Sequence, residues 1–203
     1  ALLMMLQKGE SGKKEGLQSL QAFNQQLLEH GLEVVQYRTA YLNQLQELLR
    51  KKQHLFFDSD LNLSLELSSS FQAGKKELQQ KLDEIANREI IRGTCLIGVH
   101  RDEIRMMLNG KELRKYGSSG QHRAFLLLLL LAQLELYEQW REDRPILLLD
   151  DLDSELDQRK IQSFFHEIEN RYQTLISSSR RELFQGNGNM RFFGINSGRV
   201  LEM

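Results

Sequence analysis

The chain has 203 residues, of which 40% are hydrophobic and 27% are charged. This is enough for one large domain or two small ones with a buried core. The 27 basic and 28 acidic residues give a formal net charge of −1, so the chain as a whole has no electrostatic preference for nucleic acid. Any DNA site must therefore be a local patch.

The cysteine content and the start of the sequence bear on the compartment and on completeness. Cys95 is the only cysteine, which excludes an internal disulfide and fits a reducing, cytoplasmic compartment. No secretory signal is visible, and because the chain opens at Ala1 rather than at a methionine we expect it to be a fragment. The longest apolar run, Ala124–Ala132, is far shorter than the about 20 residues that span a bilayer. It predicts a buried helix and no membrane partner.

The first part of the chain has the pattern of a mostly helical module. Residues 15 to about 53 predict two amphipathic helices with a break at Gly31. Their apolar stripes are Leu17, Leu20, Phe23 and Leu27, then Val34, Tyr37, Tyr41, Leu45 and Leu48. Leucines alternate with polar residues over 61–67, which predicts a strand with one buried face. Residues 75–92 return to helical spacing, so 1–92 is predicted to be a helical arm or partner-binding domain.

From Gly93 onward the pattern becomes that of alternating strands and helices, which predicts an α/β lobe over 93–203. An apolar strand is expected over 94–99. Asn109-Gly110 between two strand-like runs is a strong hairpin signal. A leucine-rich helix, an apolar strand, a further helix and a strand over 173–177 follow. A second hairpin over 192–202 is expected to close the chain.

The apolar run Pro145–Leu149 ends in two carboxylates, Asp150 and Asp151. Successive apolar residues suit a strand that is buried on both faces of a parallel sheet. Acids at the carboxyl end of such a strand lie where open α/β sheets bind ligands, and in nucleotide hydrolases they face Mg²⁺ and the attacking water. The alternative is that both acids only begin a solvated loop and cap the next helix.

Two further segments have a structural and a functional interpretation. The small residues of Gly117–Gly120 precede the leucine-rich helix, whose N-terminus favours an anion, but such a turn commonly caps a helix without binding anything. Ser154–Asp157 has the spacing of a D-loop in ABC-type ATPases, and equally that of a near capping box with Ser154 as the cap. Taken alone, each segment favours the structural interpretation.

The order of these segments resembles the C-terminal lobe of ABC-type ATPase heads, and most closely the RecF family. The segments that carry the resemblance are Gly93-Thr94, Gly98–Glu103, Asn109-Gly110, Ser118–Arg123 and Leu147–Asp157. The resemblance implies an α/β fold, namely the C-terminal lobe of a P-loop NTPase head with a parallel-strand core, joined to a mostly helical arm.

The resemblance also implies roles for individual residues, with ATP and Mg²⁺ as cofactors. Ser118, Ser119, Gly120 and Gln121 would form the signature motif that receives the γ-phosphate of ATP held by a partner subunit. Asp150 would hold Mg²⁺, Asp151 would orient or activate the hydrolytic water, and Asp157 would lie at the dimer seam.

For the whole protein, the resemblance implies a recombination mediator at gapped or stalled replication sites. Its partners would be double-stranded or gapped DNA, a second copy in an ATP-dependent homodimer, and other mediator proteins. Candidate phosphate contacts are the basic clusters Arg50-Lys51-Lys52, Lys75-Lys76 and Arg180-Arg181, although each taken singly is more typical of a solvated surface.

Three departures from ABC-type ATPases leave other functions open. The sequence has no G-x-x-x-x-G-K-[ST] loop; Gly9–Lys14 is too short for one and is expected to be a solvated loop, so the phosphate-binding loop of a complete head would precede Ala1. Most ABC ATPases have glutamate where Asp151 stands, and many have a histidine after the next strand, where this chain has serines. The alternatives are an SMC-like or transporter ATPase head, or a non-enzymatic module whose arm domain binds a repair partner and whose head is vestigial.

Overall fold

The computed structural model describes residues 2–8, 13–152, 156–184 and 190–202. The chain divides into two compact units, Ala1–Trp140 and Arg141–Met203. Within the described ranges, no helix is both long enough and apolar enough to cross a membrane. Most of the first unit is helical, and the sheets in both units are small. The protein is therefore a mixed α/β protein, as predicted.

The first unit is organised around one long helix. Helix α1 spans Leu2–Lys8 and α2 spans Lys13–Lys52. The predicted break at Gly31 is wrong, because α2 continues through that position. A Cβ on residue 31 would lie 2.1 Å from the ring of Phe71. The glycine is thus explained by close packing against a residue 40 positions later in the chain, not by a helix end.

The predicted strand and the predicted third helix are both present. Strand β1 spans Leu63–Ser68, close to the predicted range 61–67. Helix α3 spans Lys75–Arg92, which are the predicted bounds. Gly93 follows the last residue of α3, and its positive φ of 65° is the usual left-handed conformation that stops a helix. A core forms between α2, α3 and the 3₁₀ turn Ser70–Gln72; its buried residues are Leu28, Val35, Phe71, Leu78 and Leu82.

The strand predicted over 94–99 is wrong. This segment is irregular and leads into a 3₁₀ turn, Val99–Arg101. Its apolar residues Ile97 and Val99 nevertheless pack against the core cluster. The backbone N–H of Leu96 donates to the carboxylate of Glu89, over 2.6 Å, so a side chain takes the place of a neighbouring strand.

Strand β1 forms an antiparallel sheet with the first predicted hairpin. Strand β2 spans Glu103–Leu108 and β3 spans Lys111–Glu112, in the order β1-β2-β3. Asn109 and Gly110 have φ values of 49° and 72°, as this hairpin turn requires. Along the outer edge of β1, the amide of Gln46 donates to the carbonyl of Leu63 (2.8 Å) and accepts the N–H of Leu65 (2.7 Å). One glutamine thus bonds a carbonyl and an N–H of this edge, as a further strand would.

The short helix α4, Leu113–Tyr116, leads into the leucine-rich helix α5, Ser119–Trp140. The buried residues of α5 lie around more than half of its circumference: Ala124, Phe125, Leu127, Leu128, Leu131, Ala132, Leu134 and Leu136. Helix α5 packs on α2. The ring of Trp140 meets that of Tyr41 at 5.8 Å, and Lys52 Nζ lies 3.1 Å from a carboxylate oxygen of Glu135.

The second unit has a parallel pair of strands and a closing hairpin. Strand β4 spans Leu147–Leu149, α6 spans Gln158–Ile168, and β5 spans Thr174–Ile176 beside β4. Strands β6 (Phe193–Asn196) and β7 (Arg199–Glu202) form the predicted hairpin. The core of the unit consists of Leu147, Leu152, Leu156, Ile161, Phe164, Phe165, Ile168, Leu183 and Phe184.

The compact units follow a different division from the predicted domains. The sequence predicts an arm over 1–92 and an ATPase lobe over 93–203, whereas the chain's own contacts group everything up to Trp140. The compact units are defined by packing density, whereas the predicted domains are defined by a proposed role. Strand β1 does not share a sheet with β4, and the arm boundary near residue 92 stays a prediction.

Candidate functional site

The two predicted acids stand at the carboxyl edge of the parallel strand pair. Asp150 follows β4 directly, and Ser177 follows β5 at the same edge, because Leu149 pairs with Ile176. The backbone N–H of Ser177 donates to the carbonyl of Leu149 over 2.9 Å and extends the ladder by one bond. Parallel pairing therefore brings a carboxylate and a hydroxyl together from positions 27 residues apart.

The hydroxyl of Ser177 contacts both acids. Ser177 Oγ donates a hydrogen bond to Asp150 Oδ1. The same oxygen accepts the backbone N–H of Asp151 over 3.3 Å. Asp151 has a φ of 51°, in the left-handed region that Asp and Asn tolerate better than most residues. The chain thus turns sharply immediately after Asp150, and the turn is held by a side chain from the neighbouring strand.

The donor atoms at this edge fit Mg²⁺ better than a transition metal. Asp150 and Ser177 offer carboxylate and hydroxyl oxygens, the hard ligands that Mg²⁺ prefers. Within the described ranges no group of three or more His, Cys, Asp or Glu side chains could hold a metal by itself. Mg²⁺ is usually bound through one or two carboxylates plus the phosphates of its substrate. A single aspartate is therefore compatible with the predicted metal site.

One face of the strand pair is apolar and exposed. The side chains of Ile146, Leu148 and Leu175 are 59%, 74% and 54% exposed. A depression of about 300 Å³ runs along this face to Asp150 and Ser177. Parallel strands are ordinarily covered on both faces, and the sequence predicts as much for this apolar run. Here Leu147 is buried and Leu148 is exposed, so the described residues cover only one face.

Asp157 is the N-cap of α6. Its carboxylate accepts the backbone N–H of Lys160 over 2.9 Å, and Lys160 Nζ lies 3.1 Å from its other oxygen. The hydrogen bond from the Lys160 N–H, reinforced by the Lys160 ammonium, lowers the pKa of the Asp157 carboxyl. The cap is therefore Asp157 itself. The alternative cap, Ser154, lies outside the described residues together with Asp153 and Glu155.

The predicted signature segment forms a reciprocal capping box at the start of α5. Ser118 Oγ accepts the backbone N–H of Gln121 over 3.2 Å, and Gln121 Oε1 accepts the backbone N–H of Ser118 over 2.9 Å. This S-x-x-Q arrangement satisfies two backbone donors at once. Ser118 and Ser119 are both exposed, and Gly120 is half-buried. The segment therefore caps α5, as one interpretation predicts, and the phosphate-binding role stays a prediction.

Two neighbours fix the path of the chain into this capping box. A Cβ on Gly117 would lie 2.8 Å from the carbonyl oxygen of Leu113, so only glycine fits there without a shift. The ring of His122 donates from Nε2 to the same carbonyl over 2.6 Å, which ties α5 back to α4. His122 belongs to the motif segment Ser118–Arg123, and the sequence alone assigns it no role. The bond spans nine residues and crosses a turn, so spacing alone could not reveal it.

The basic clusters differ in what their side chains contact. Arg50 and Lys51 are exposed at the end of α2, as are Lys75 and Lys76 at the start of α3. Lys52 instead pairs with Glu135. The guanidinium of Arg180 lies 3.6 Å from Glu182, and that of Arg181 lies 4.8 Å from the centre of the Phe192 ring. The exposed pairs on α2 and α3 are therefore the stronger candidates for phosphate contacts.

The chain is similar to curated RecF proteins, although no protein-family model matches it. It is 33% identical to the DNA replication and repair protein RecF of Geotalea uraniireducens over 95% of this chain and 55% of the relative. The protein of the same name from Halothermothrix orenii is 34% identical over 86% of this chain and 49% of the relative. The chain thus spans about half the length of the curated relatives that it matches.

Solved structures give the same similarity in three dimensions. A structure of the recombination mediator protein RecF with ATP, in the RecFOR pathway, matches 91% of this chain and 51% of the other with a TM-score of 0.72 and 25% identity. A second RecF structure, with ATPrS, matches all of this chain and 54% of the other at a TM-score of 0.75 and 24% identity. This second match supports the similarity of fold. By sequence and by fold, the chain is similar to RecF proteins over about half of their length.

Proposed function

We propose that this chain supplies the signature and metal-site half of a RecF-like ATPase head that acts in DNA replication, repair and recombination. The observation that carries the proposal is the identity of about a third to RecF proteins along almost the whole chain. In the full-length protein this half would work with a phosphate-binding loop that these 203 residues do not contain. The isolated chain would then be inactive, and the full-length protein a weak ATPase.

The proposed head places ATP between two subunits. Ser118, Ser119, Gly120 and Gln121 would receive the γ-phosphate of ATP held by a partner, at the N-terminus of α5. The capping box is compatible with this role, because it uses the side chains of Ser118 and Gln121 to stiffen the turn. The exposed side chain of Ser119 is then the group that would meet the phosphate.

The acidic edge would form the catalytic half of the same site. Asp150 would hold Mg²⁺ that is bound to ATP, and Asp151 would orient the attacking water. Asp157 would lie at the dimer seam as the last residue of the D-loop. The exposed apolar face of β4 and β5 supports this proposal, because a parallel pair ordinarily forms part of a larger covered sheet. The segment that we propose covers it is the other half of the P-loop NTPase head.

The proposed biological role follows from the clamp. An ATP-bound homodimer would close around double-stranded or gapped DNA in the cytoplasm and recruit other recombination-mediator proteins. Because the net charge is close to zero, DNA contact would depend on local patches, and the exposed pairs Arg50-Lys51 and Lys75-Lys76 are the candidates. We propose that residues 1–92 act as the arm and 93–203 as the lobe of the head.

The clamp proposal is tested by ATP-induced dimerisation of the full-length protein. Ser119→Arg keeps the Ser118–Gln121 capping box and adds a bulky side chain at the proposed phosphate contact. We expect it to bind ATP and to remain monomeric with ATP and Mg²⁺ in sedimentation experiments. Ser118→Ala is a comparison for loss of the cap alone, because it removes the cap at a cost of about 1 kcal/mol and adds no bulk.

Two outcomes of that experiment would contradict the proposal. If Ser119→Arg dimerises as wild type does, the signature assignment is wrong. If the wild-type full-length protein shows no ATP-dependent association at all, the clamp is wrong, and the vestigial-head alternative is favoured.

A further inference from the structure

The hydroxyl of Ser177 is a single group that contacts both proposed catalytic acids, and neither the sequence motifs nor the family resemblance gives it a role. Ser177 lies one residue past β5. Many ABC-type ATPases have a histidine after this strand, where this chain has serines. The hydroxyl oxygen of Ser177 donates to Asp150 and accepts from the N–H of Asp151. A hydroxyl has one donor and two acceptor positions, so Ser177 serves both neighbours at once.

The two contacts constrain different degrees of freedom. The bond to Asp150 Oδ1 fixes the rotation of that carboxylate about its side-chain torsions. The bond from the Asp151 N–H holds a backbone in the left-handed region, which is less favourable for aspartate than an extended conformation. Both contacts originate from a residue whose backbone is itself fixed by the ladder bond to Leu149. The strand pair therefore transmits its rigidity to the acids through one side chain.

From this geometry we infer that Ser177 is a positioning residue that sets the orientation of the Asp150 carboxylate and the turn at Asp151 for Mg–ATP binding. The inference rests on the proposed function, because it assigns Ser177 to the same metal site. Groups that orient a metal ligand without touching the metal commonly alter metal affinity when they are removed. A serine that merely satisfied the end of a strand would affect stability and leave metal affinity unchanged.

The first arm of the test needs no nucleotide. In the full-length protein, Ser177→Ala removes the acceptor of the Asp151 N–H, so hydrogen exchange in the segment 150–152 should become faster by roughly threefold or more, as expected for the loss of one hydrogen bond. Ser177→Thr keeps a hydroxyl and should exchange at about the wild-type rate. Ser179→Ala is the matched control, since Ser179 is an exposed serine two residues further on. Unchanged exchange in Ser177→Ala would overturn the inference.

The second arm measures metal binding directly. Mn²⁺ serves as the probe for Mg²⁺, and its binding with ATP is followed by electron paramagnetic resonance. We expect Ser177→Ala to bind Mn²⁺ in the presence of ATP roughly threefold to tenfold more weakly, whereas Ser177→Thr and Ser179→Ala should resemble wild type. Affinity for ATP without metal should be unchanged in all three variants.

The outcomes separate this inference from the proposal on which it rests. Wild-type Mn²⁺ affinity in Ser177→Ala, with tight binding by wild type, would overturn the positioning role alone. Absence of ATP-dependent Mn²⁺ binding in the wild-type protein would overturn both. Equal weakening in Ser177→Ala and Ser177→Thr would show that packing at this position, not the hydroxyl, matters, and would also overturn the inference.

Discussion

Asp150 and Asp151 are neighbours in sequence, but the structure holds them by different means. The side chain of Asp150 is oriented by Ser177, whereas for Asp151 the contact with Ser177 is made by the backbone. Removal of the charge should therefore have separate effects at the two positions. Asn is well suited to the left-handed φ of 51° at residue 151, so Asp151→Asn should leave the turn intact.

In the full-length protein we expect Asp151→Asn to trap an ATP-bound dimer with nearly normal nucleotide affinity. The amide has the shape of the carboxylate but cannot help to polarise the attacking water. Hydrolysis should fall by about 100-fold or more, the contribution typical of one general base. Phosphate release and sedimentation with ATP measure the two effects.

Asp150→Asn is the matched comparison, and it should instead weaken Mg–ATP binding, since a ligand charge beside the metal is lost. Nucleotide titration with and without Mg²⁺ measures this difference. Equal loss of ATP binding in both variants would contradict the separate roles assigned to these acids.

At the residue scale, the sequence correctly predicts that both acids follow a strand, but it does not reveal the serine that contacts them. An apolar run that ends in two aspartates is visible in one stretch of sequence. Ser177 contacts them only because β4 and β5 pair in parallel with Leu149 beside Ile176. That register joins residues 27 positions apart in the chain, so the pattern of the sequence could not give it.

At the scale of elements, Asp157 gives α6 a cap that depends on pH. The N–H of Lys160 and its ammonium favour the carboxylate and lower the pKa of Asp157 below its ordinary value. A lowered folded-state pKa contributes stability above the unfolded pKa of about 3.9, and that contribution is lost as the pH falls through the folded value. The cap is therefore at full strength at neutral pH and fails only in acid.

We expect Asp157→Ala to lower the free energy of unfolding by about 1 kcal/mol at pH 7 and by less as the pH falls below about 4. Asp157→Asn should have a small effect, because Asn caps helices about as well as Asp. Urea unfolding at pH 7 and pH 3 measures both differences. An alanine effect that does not change between these pH values would mean that the carboxylate charge does not contribute to the cap.

The elements that could be predicted are those whose cause is local. Asn109-Gly110 forms its turn because both residues adopt positive φ, and α3 is bounded by a glycine stop that the sequence displays. Gly31 was misread as a helix end because its partner, Phe71, is distant in the sequence. The strand expected over 94–99 failed for the same reason. Ile97 and Val99 pack, partly buried, against the core cluster of α2 and α3, so this packing did not require a sheet.

At the scale of the whole molecule, the predicted signature residues and the predicted acidic residues belong to different compact units. Ser118–Gln121 belongs to the unit that ends at Trp140, and Asp150, Asp151 and Asp157 belong to the unit that begins at Arg141. In the proposed clamp, these two sets of residues would act on different ATP molecules. The signature would act on ATP that a partner holds, whereas the acids would act on ATP that is held by the phosphate-binding loop of their own subunit.

This division gives the last prediction, which concerns the 203 residues by themselves. No G-x-x-x-x-G-K-[ST] loop occurs in them, and that loop's backbone N–H groups and lysine provide most of the contacts to the β- and γ-phosphates in P-loop proteins. One carboxylate and one helix N-terminus cannot replace it. We therefore expect no ATP binding in calorimetric titration up to about millimolar concentration, which corresponds to a binding free energy weaker than about −4 kcal/mol. Circular dichroism must show a folded, helical chain for the result to count. Micromolar affinity in the folded isolated chain would contradict the assignment of these residues to the half of the head that does not hold the phosphates.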